Sequence, residues 1–267
     1  MNSTRNAPGA FADVVTSADR RSCPSDTAAS AEENFGFAKL TPLGPEGEPS
    51  TFRAIDRRSG HSVVLRLHSD PGFRWKRPSP NPGRPCHPGI ARFGTTGECS
   101  RGAYLVREYI EGIDLGSVMD RQVSLTVREV VDLALQLVEI LEVAHRHEEF
   151  HGHLVPQNII VEPSGCVQVT DWGLFDADAQ AARSMREDRQ QAARSLRSLI
   201  EAPRKEGDAD AVPARRALIE ILDRLSSEAF DESALDAALT SLSSLHESLG
   251  MRRRVALRRR AALLASL

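Results

Sequence analysis

The chain has no apolar run near the roughly 18 residues that a membrane-spanning helix requires, and its first residues lack the apolar core of a secretory signal. A membrane-spanning or exported protein is therefore not expected. Its four cysteines, Cys23, Cys86, Cys99 and Cys166, lie far apart and form no CxxC pair. That spacing argues against a disulfide framework or a cysteine-rich zinc site, and a reducing, cytoplasmic compartment is the simpler expectation. Neither sign of charge is in excess: 34 basic against 37 acidic side chains leave a net −3. No global field draws such a chain to nucleic acid. What is present is an apolar fraction of 40% over 267 residues, enough for one large domain or two small ones with a real core.

Residues 1–34 are rich in Ser, Ala, Asp, Asn and Thr and carry no sustained period, so a disordered segment is expected there. Residues 35–67 read as a small antiparallel sheet. Strands at 51–55 and 62–67 flank the turn Asp56-Arg57-Arg58-Ser59-Gly60, after a loop at 44–50. Val63, Leu65 and Leu67 alternate with Val64 and Arg66, which places Arg66 away from the Leu65 side. The next interval, 69–88, holds six prolines and two glycines and excludes a helix of ordinary length. Further strands are expected at 90–93 and 103–110, then a break at Glu111-Gly112 and a helical turn from Leu115.

The clearest helix spans 126–146. Thr126 and Glu129 have capping-box spacing, and Val130, Leu133, Leu137, Ile140, Leu141 and Ala144 form a wide apolar face. Such a face requires a partner, so a helical lobe is expected around it. Residues 179–200 are helix-compatible. Pro213 suits the first turn of a helix running to about Leu225, and Asp231 is placed to cap another that carries Leu235, Leu239, Leu242 and Leu245. In the tail, 249–267, arginines at 252–254 and 258–260 alternate with Val255, Leu257, Leu263 and Leu264. A basic amphipathic segment of this kind suits an acidic partner or an anionic surface; a solvated terminal helix is the simpler account.

The chain is organised around residues 150–173, FHGHLVPQNIIVEPSGCVQVTDWG. Two short β-type runs, 158–161 and 166–170, flank the turn Pro163-Ser164-Gly165. His151 and His153 precede the first run and Asp171 follows the second, so the pair brings ionisable groups together as a site does.

With a small sheet before it and helices around it, this stretch resembles the eukaryotic-type protein kinase family, whose catalytic loop reads H-R-D-L-x-x-x-N and is followed by D-F-G. The matching residues are His151-Gly152-His153-Leu154, Pro156, Asn158 and Asp171-Trp172-Gly173. Upstream, LGPEGEPSTFRA at 43–54 resembles the glycine-rich loop and its strand, Val63-Val64-Leu65-Arg66 resembles V-A-I-K, and His87-Pro88-Gly89-Ile90 resembles the segment after the C-helix. LVREYIEGIDL at 105–115 resembles the last strand of the small lobe and the hinge. The resemblance implies an α+β, two-lobed fold. Its small β-rich lobe would cover about 35–110 and its truncated helical lobe about 114–248, within a domain at 35–248. It further implies backbone groups from Glu108 to Ile110 facing an adenine, Asp114 near a ribose, and Asn158 and Asp171 holding Mg²⁺.

The departures fall on the chemistry. His153 occupies the position of the family's catalytic Asp, and Gly152 that of an Arg, so HG-x-L reads as a relaxed loop. No catalytic residue is expected; His153 as a base near neutral pH is the competing role. Arg66 replaces the phosphate-positioning Lys, which is not a neutral exchange at a precise site. Gly44 fits the first glycine of the phosphate loop, but Glu46 and Pro49 stand where the second and third belong, and they bring a negative charge and a missing N–H to a phosphate cradle. Arg107, at the gatekeeper position, projects a long side chain toward the adenine side. Asp188 resembles the buried Asp of the central helix of the large lobe, which leaves little chain for an activation segment, and no A-P-E sequence appears. The expectation is a catalytically inactive kinase-like module that binds a protein partner, with weak or absent ATP binding and no cofactor. Two alternatives stand beside it: a divergent serine/threonine kinase using Mg-ATP, and a nucleotide sensor that binds without transfer.

Overall fold

The computed structural model describes residues 36–43, 50–68, 87–91, 93–99, 102–172, 181–202, 212–227 and 233–250. The expectations for residues 1–34, Gly44 and its loop, the proline-rich interval up to residue 86, Gly173, Asp231 and most of the tail lie outside them. The described residues fall into two compact units. The first runs to residue 68 and resumes from 93 to 109; the second takes residues 87–91 and everything from 110 onward.

The first unit is one antiparallel sheet. Its strands are β1 (Phe37–Pro42), β2 (Thr51–Asp56), β3 (Ser62–His68), β4 (Phe93–Cys99) and β5 (Gly102–Glu108), in the order β1-β2-β3-β5-β4. The β2–β3 turn forms where Asp56 gathers its neighbours: Oδ1 accepts from the Arg58 N–H at 2.9 Å and Oδ2 from the Ser59 hydroxyl at 2.9 Å. Gly60, at φ 73°, takes the left-handed position that favours glycine. Period-2 alternation sends Phe52, Ala54, Val63, Leu65 and Val106 to one face, where they pack with Phe37, Leu40, Leu67 and Tyr104. Val64, Arg66 and Arg107 face the other way, since Val64 pairs with Arg107 and Arg66 with Leu105. The sequence pattern had assigned Arg66 to that side.

The second unit begins with β6 (Ile113–Asp114) and the short α1 (Leu115–Asp120). The long α2 (Val127–Arg146) follows, then a 3₁₀ turn (Pro156–Asn158), β7 (Ile159–Val161) and β8 (Val167–Val169). Helices α3 (Ala181–Glu201), α4 (Val212–Leu225) and α5 (Ala234–Ser248) complete it. Both halves of the α2 capping box are made: Thr126 Oγ1 accepts from the Glu129 N–H at 3.3 Å, and Glu129 Oε2 accepts from the Thr126 N–H at 2.7 Å. The apolar face of α2 is buried against α3, α5 and β8, in one core that reaches Leu196, Ile200, Leu218, Leu222 and Leu242. Ser233, not Asp231, occupies the N-cap of α5, and it makes no side-chain capping bond.

Of the expected strand at 90–93, Ile90 makes a single parallel bridge to Val169, while Phe93 opens β4 in the other unit. The Val169 N–H donates to the Gly89 carbonyl at 2.7 Å and its carbonyl accepts from Ala91 at 2.9 Å. The segment 87–91 thus borders β8 and belongs to the helical unit. Gly89 permits this approach: a Cβ there would lie 2.4 Å from Ile140 Cδ1.

Candidate functional site

Helix α2 ends at Arg146 and delivers the chain to His151, and β7 and β8 return it to Asp171. The three strands β6-β7-β8 form a small antiparallel sheet in which Ile159 pairs with Val169 and Val161 with Val167. Gln136, buried in the middle of α2, braces the turn between them. Its Nε2 donates to the Gly165 carbonyl and its Oε1 accepts from the Val167 N–H, both at 3.0 Å.

The loop at 151–154 is held from α3. Asp188, 0% exposed, accepts from the His151 N–H at 2.8 Å, from the Gly152 N–H at 2.9 Å and from His145 Nε2 at 3.1 Å. One turn along, Gln191 Oε1 accepts from the Leu154 N–H. A buried carboxylate is costly unless several donors meet it, and here three do. The expectation of a relaxed loop is therefore corrected: Gly152 removes a side chain while its backbone stays tied. At φ 75° it also occupies the left-handed region at little cost.

His151 is a core residue. Its Nε2 lies 2.7 Å from the Thr170 carbonyl, and its Nδ1 accepts from the His153 N–H at 3.2 Å. A carbonyl only accepts and an N–H only donates, so the ring is the neutral Nε2–H tautomer. Burial pushes its pKa below the ordinary 6.5, against the opposing pull of the Asp188 charge, the Thr170 bond and Asp171. Trp172 packs on the ring with centroids 5.1 Å apart, and its indole N–H donates to the Val169 carbonyl at 2.9 Å. The aromatic residue after Asp171 is thereby a buried part of the helical unit.

His153, in the place of the family's base, is exposed. Its carbonyl accepts from Asn158 Nδ2 at 3.1 Å. Asn158 is buried, and its own carbonyl accepts from the Thr170 N–H at 2.9 Å, which brings it beside the residue preceding Asp171. Asp171 is buried at φ 64°, an uncommon conformation for a residue with a side chain and one that clusters at functional sites. The loop and the Asp171 segment thus come together as expected.

The other expected positions divide between the units. Arg66 is half-buried on β3. Glu108 ends β5, and its carbonyl accepts from Arg107 Nη1 at 3.2 Å. In the second unit the Ile110 side chain is buried with Ala91 and Ile160. Asp114 caps α1, accepting from the Ser117 N–H at 2.8 Å and the Ser117 hydroxyl at 2.7 Å. Its D-x-x-S spacing was a readable capping signal. Sequence reasoning missed His145, Gln136 and Gln191 as anchors. Among the described residues no group of three or more His, Cys, Asp or Glu could hold a metal ion. Asn158 and Asp171 supply two oxygen donors of the kind Mg²⁺ takes when phosphates and water complete its shell.

The model of the protein kinase domain matches residues 83–190, the stretch from the segment beside β8 through the anchoring helix. That stretch is kinase-like, and its resemblance is to the eukaryotic-type protein kinase superfamily. Among its relatives is a probable serine/threonine-protein kinase, pknA2, of Bifidobacterium longum, 30% identical over 52% of this chain and 20% of that protein. The serine/threonine-protein kinase PknA of Mycobacterium tuberculosis is 33% identical over 54% of this chain and 36% of its own length. PknB of the same species is 27% identical over 54% and 25%. The matched part therefore spans little more than a third of these relatives at most. The sheet unit and the helical unit are those of a kinase-like α+β fold. No helix among the described residues is long and apolar enough to cross a membrane.

Proposed function

We propose that this kinase-like domain is catalytically inactive and works as a regulatory module that binds a protein partner, with weak or absent ATP binding. The observation that carries the reading is the length of the connector after Trp172. Helix α3 begins at Ala181, so eight residues, 173–180, separate the Asp171 segment from the helix that anchors the loop. Asp188 on that helix binds the backbone of His151 and Gly152, which identifies α3 as the anchoring helix of the large lobe and sets the connector's length. Eight residues leave no room for both an activation segment and a platform for a protein substrate. His153 in place of the base and Arg66 in place of the lysine support the same reading. Phosphoryl transfer is positioning and charge stabilisation by several parts at once. The scattered cysteines fit a reducing, cytoplasmic setting.

A divergent serine/threonine kinase is the second reading. It is favoured by the retained pair Asn158 and Asp171, by the pinned loop, and by relatives named as serine/threonine kinases. In it Asn158 and Asp171 would hold Mg²⁺, and the metal with its nucleotide would supply charge neutralisation at the phosphates. One experiment separates the readings: the purified chain is incubated with saturating Mg-ATP, with phosphate incorporation and melting temperature followed together. The inactive module shows neither incorporation nor a shift. Time-dependent incorporation that Asp171→Ala abolishes would establish the kinase. A shift without incorporation, lost in Asp171→Ala, would establish a nucleotide sensor.

A further inference from the structure

The end of the sheet at the β2–β3 turn is basic. Arg53, Arg57 and Arg58 are all exposed there. Two of them are held by their own unit. The Arg53 guanidinium lies over the Tyr109 ring, 4.3 Å from its centroid, and its Nη2 donates to the Ser62 hydroxyl at 3.3 Å. Tyr109 is fixed in turn, its N–H donating to the Ser62 carbonyl at 3.3 Å. Arg57 Nε donates to the Phe37 carbonyl at 3.1 Å. The acids described at this end are Asp56 and Glu108. Asp56 commits both carboxylate oxygens to the turn. Glu108 pairs with Val63 and Arg53 with Val64, so the two side chains lie on opposite faces of the sheet.

We propose that this end of the sheet docks a segment of a protein partner rich in Asp and Glu, with Arg53 on its Tyr109 ledge as the anchor. The inference rests on the reading of the chain as a partner-binding module and gives that module a surface. A guanidinium already stacked and bonded on one edge has less side-chain freedom left to lose, so ordering it costs less when a carboxylate arrives. Ser62 takes one of its five N–H donors, and the others meet no partner among the described residues. A carboxylate accepts two of them side by side. Arginine and tyrosine are also the side chains that dominate the energy of protein interfaces. Charge steers the same choice. Residues 36–109 hold 12 basic and 6 acidic side chains, whereas residues 110–250 hold 13 and 26. An acidic segment is therefore drawn to the first stretch and repelled from the second. No large apolar side chain is exposed at this end among the described residues, so nothing there enters a bilayer.

The probe is a dye-labelled peptide of alternating Glu and Gly, titrated with the whole chain at low salt and followed by anisotropy. A copy with Gln for every Glu is the control and should not bind. Arg53→Gln combined with Arg58→Gln is expected to weaken binding about tenfold. Tyr109→Leu changes no charge but removes the ledge, and should weaken it about threefold. Arg216→Gln combined with Arg224→Gln removes as much charge from exposed positions on α4 and should leave binding as it is. All variants are checked for the parent's far-ultraviolet dichroism. A parent chain that does not bind the peptide would overturn the proposal, as would equal losses in the α4 variant or an undiminished affinity in Tyr109→Leu. Tighter binding of a DNA duplex or of phosphatidylserine vesicles than of the peptide would overturn it too. Phosphate transfer by the parent chain would sink the inactive reading and leave the peptide titrations as they are, so the two failures are distinguishable.

Discussion

His151 is held neutral by its surroundings, and that has a consequence for stability. Its Nδ1 accepts from the His153 N–H, and a proton there would set donor against donor in a buried place. The folded pKa is lower than the ordinary 6.5, with burial as the main cause. Below 6.5 the unfolded chain therefore binds more protons at this residue than the folded one does. Its contribution to stability is complete above about pH 6.5 and is lost as the pH falls toward the folded value. Urea midpoints measured between pH 5 and 7.5 should rise with pH, and His151→Gln should flatten the slope; an unchanged slope would refute the assignment. Asp188 gives a larger effect. Asp188→Ala strips three donors of their acceptor in a site closed to water. The expected cost is about 3 kcal/mol or more, from roughly 1–3 kcal/mol for each buried group left unsatisfied. Chemical denaturation reads it directly.

At the scale of the element, α2 is the organising piece, and its terminus and middle do different things. The capping box at Thr126 satisfies backbone donors at the N-terminus, so Thr126→Ala should cost about 1 kcal/mol. Gln136 joins α2 to the β7–β8 turn through both ends of its amide. Gln136→Leu keeps the volume but leaves the Gly165 carbonyl and the Val167 N–H without partners. It should cost more than the cap does, about 2 kcal/mol or above. Thermal melts of the two variants, side by side, check that order; a cap variant weaker than the amide variant would contradict it. The helix itself was legible from its 3.6-residue apolar period and its cap. Its brace was not, because a buried Gln in a helical sequence does not announce which backbone it will meet. The strand at 90–93 failed for a related reason. Pairing is a property of two strands, and in that run Ile90 bridges β8 while Phe93 joins β4.

At the scale of the molecule, the retained loop and the eight-residue connector pull in different directions. The loop at 151–154 is held by buried bonds, while eight residues separate Trp172 from α3, which on the proposed reading leaves no platform for a substrate. Restoring the missing acid alone should then restore nothing. His153→Asp, assayed with Mg-ATP and a generic protein substrate, is expected to give no more phosphate transfer than the parent chain. Transfer well above that level would show that the connector is no obstacle. The strand pair was legible from its β-type runs and their turn, and Asn158 and Asp171 lie at its two ends. Arg66 was assigned to its face of the sheet by alternation alone, since β periodicity leaves two choices and the apolar neighbours take one of them.

By itself the sequence determined most of the order of elements and which residues stand at the altered motif positions. These are local matters of period, capping and residue type. Only the tertiary structure decided that the HG-x-L loop is pinned, that Trp172 is a core residue, and that Arg107 donates to the Glu108 carbonyl. The first depends on bonds between residues 37 and 43 positions apart, from Asp188 to His151 and to His145. Such bonds follow no period. They form because folding buries an acid among backbone donors, and burial leaves it no water to bind instead.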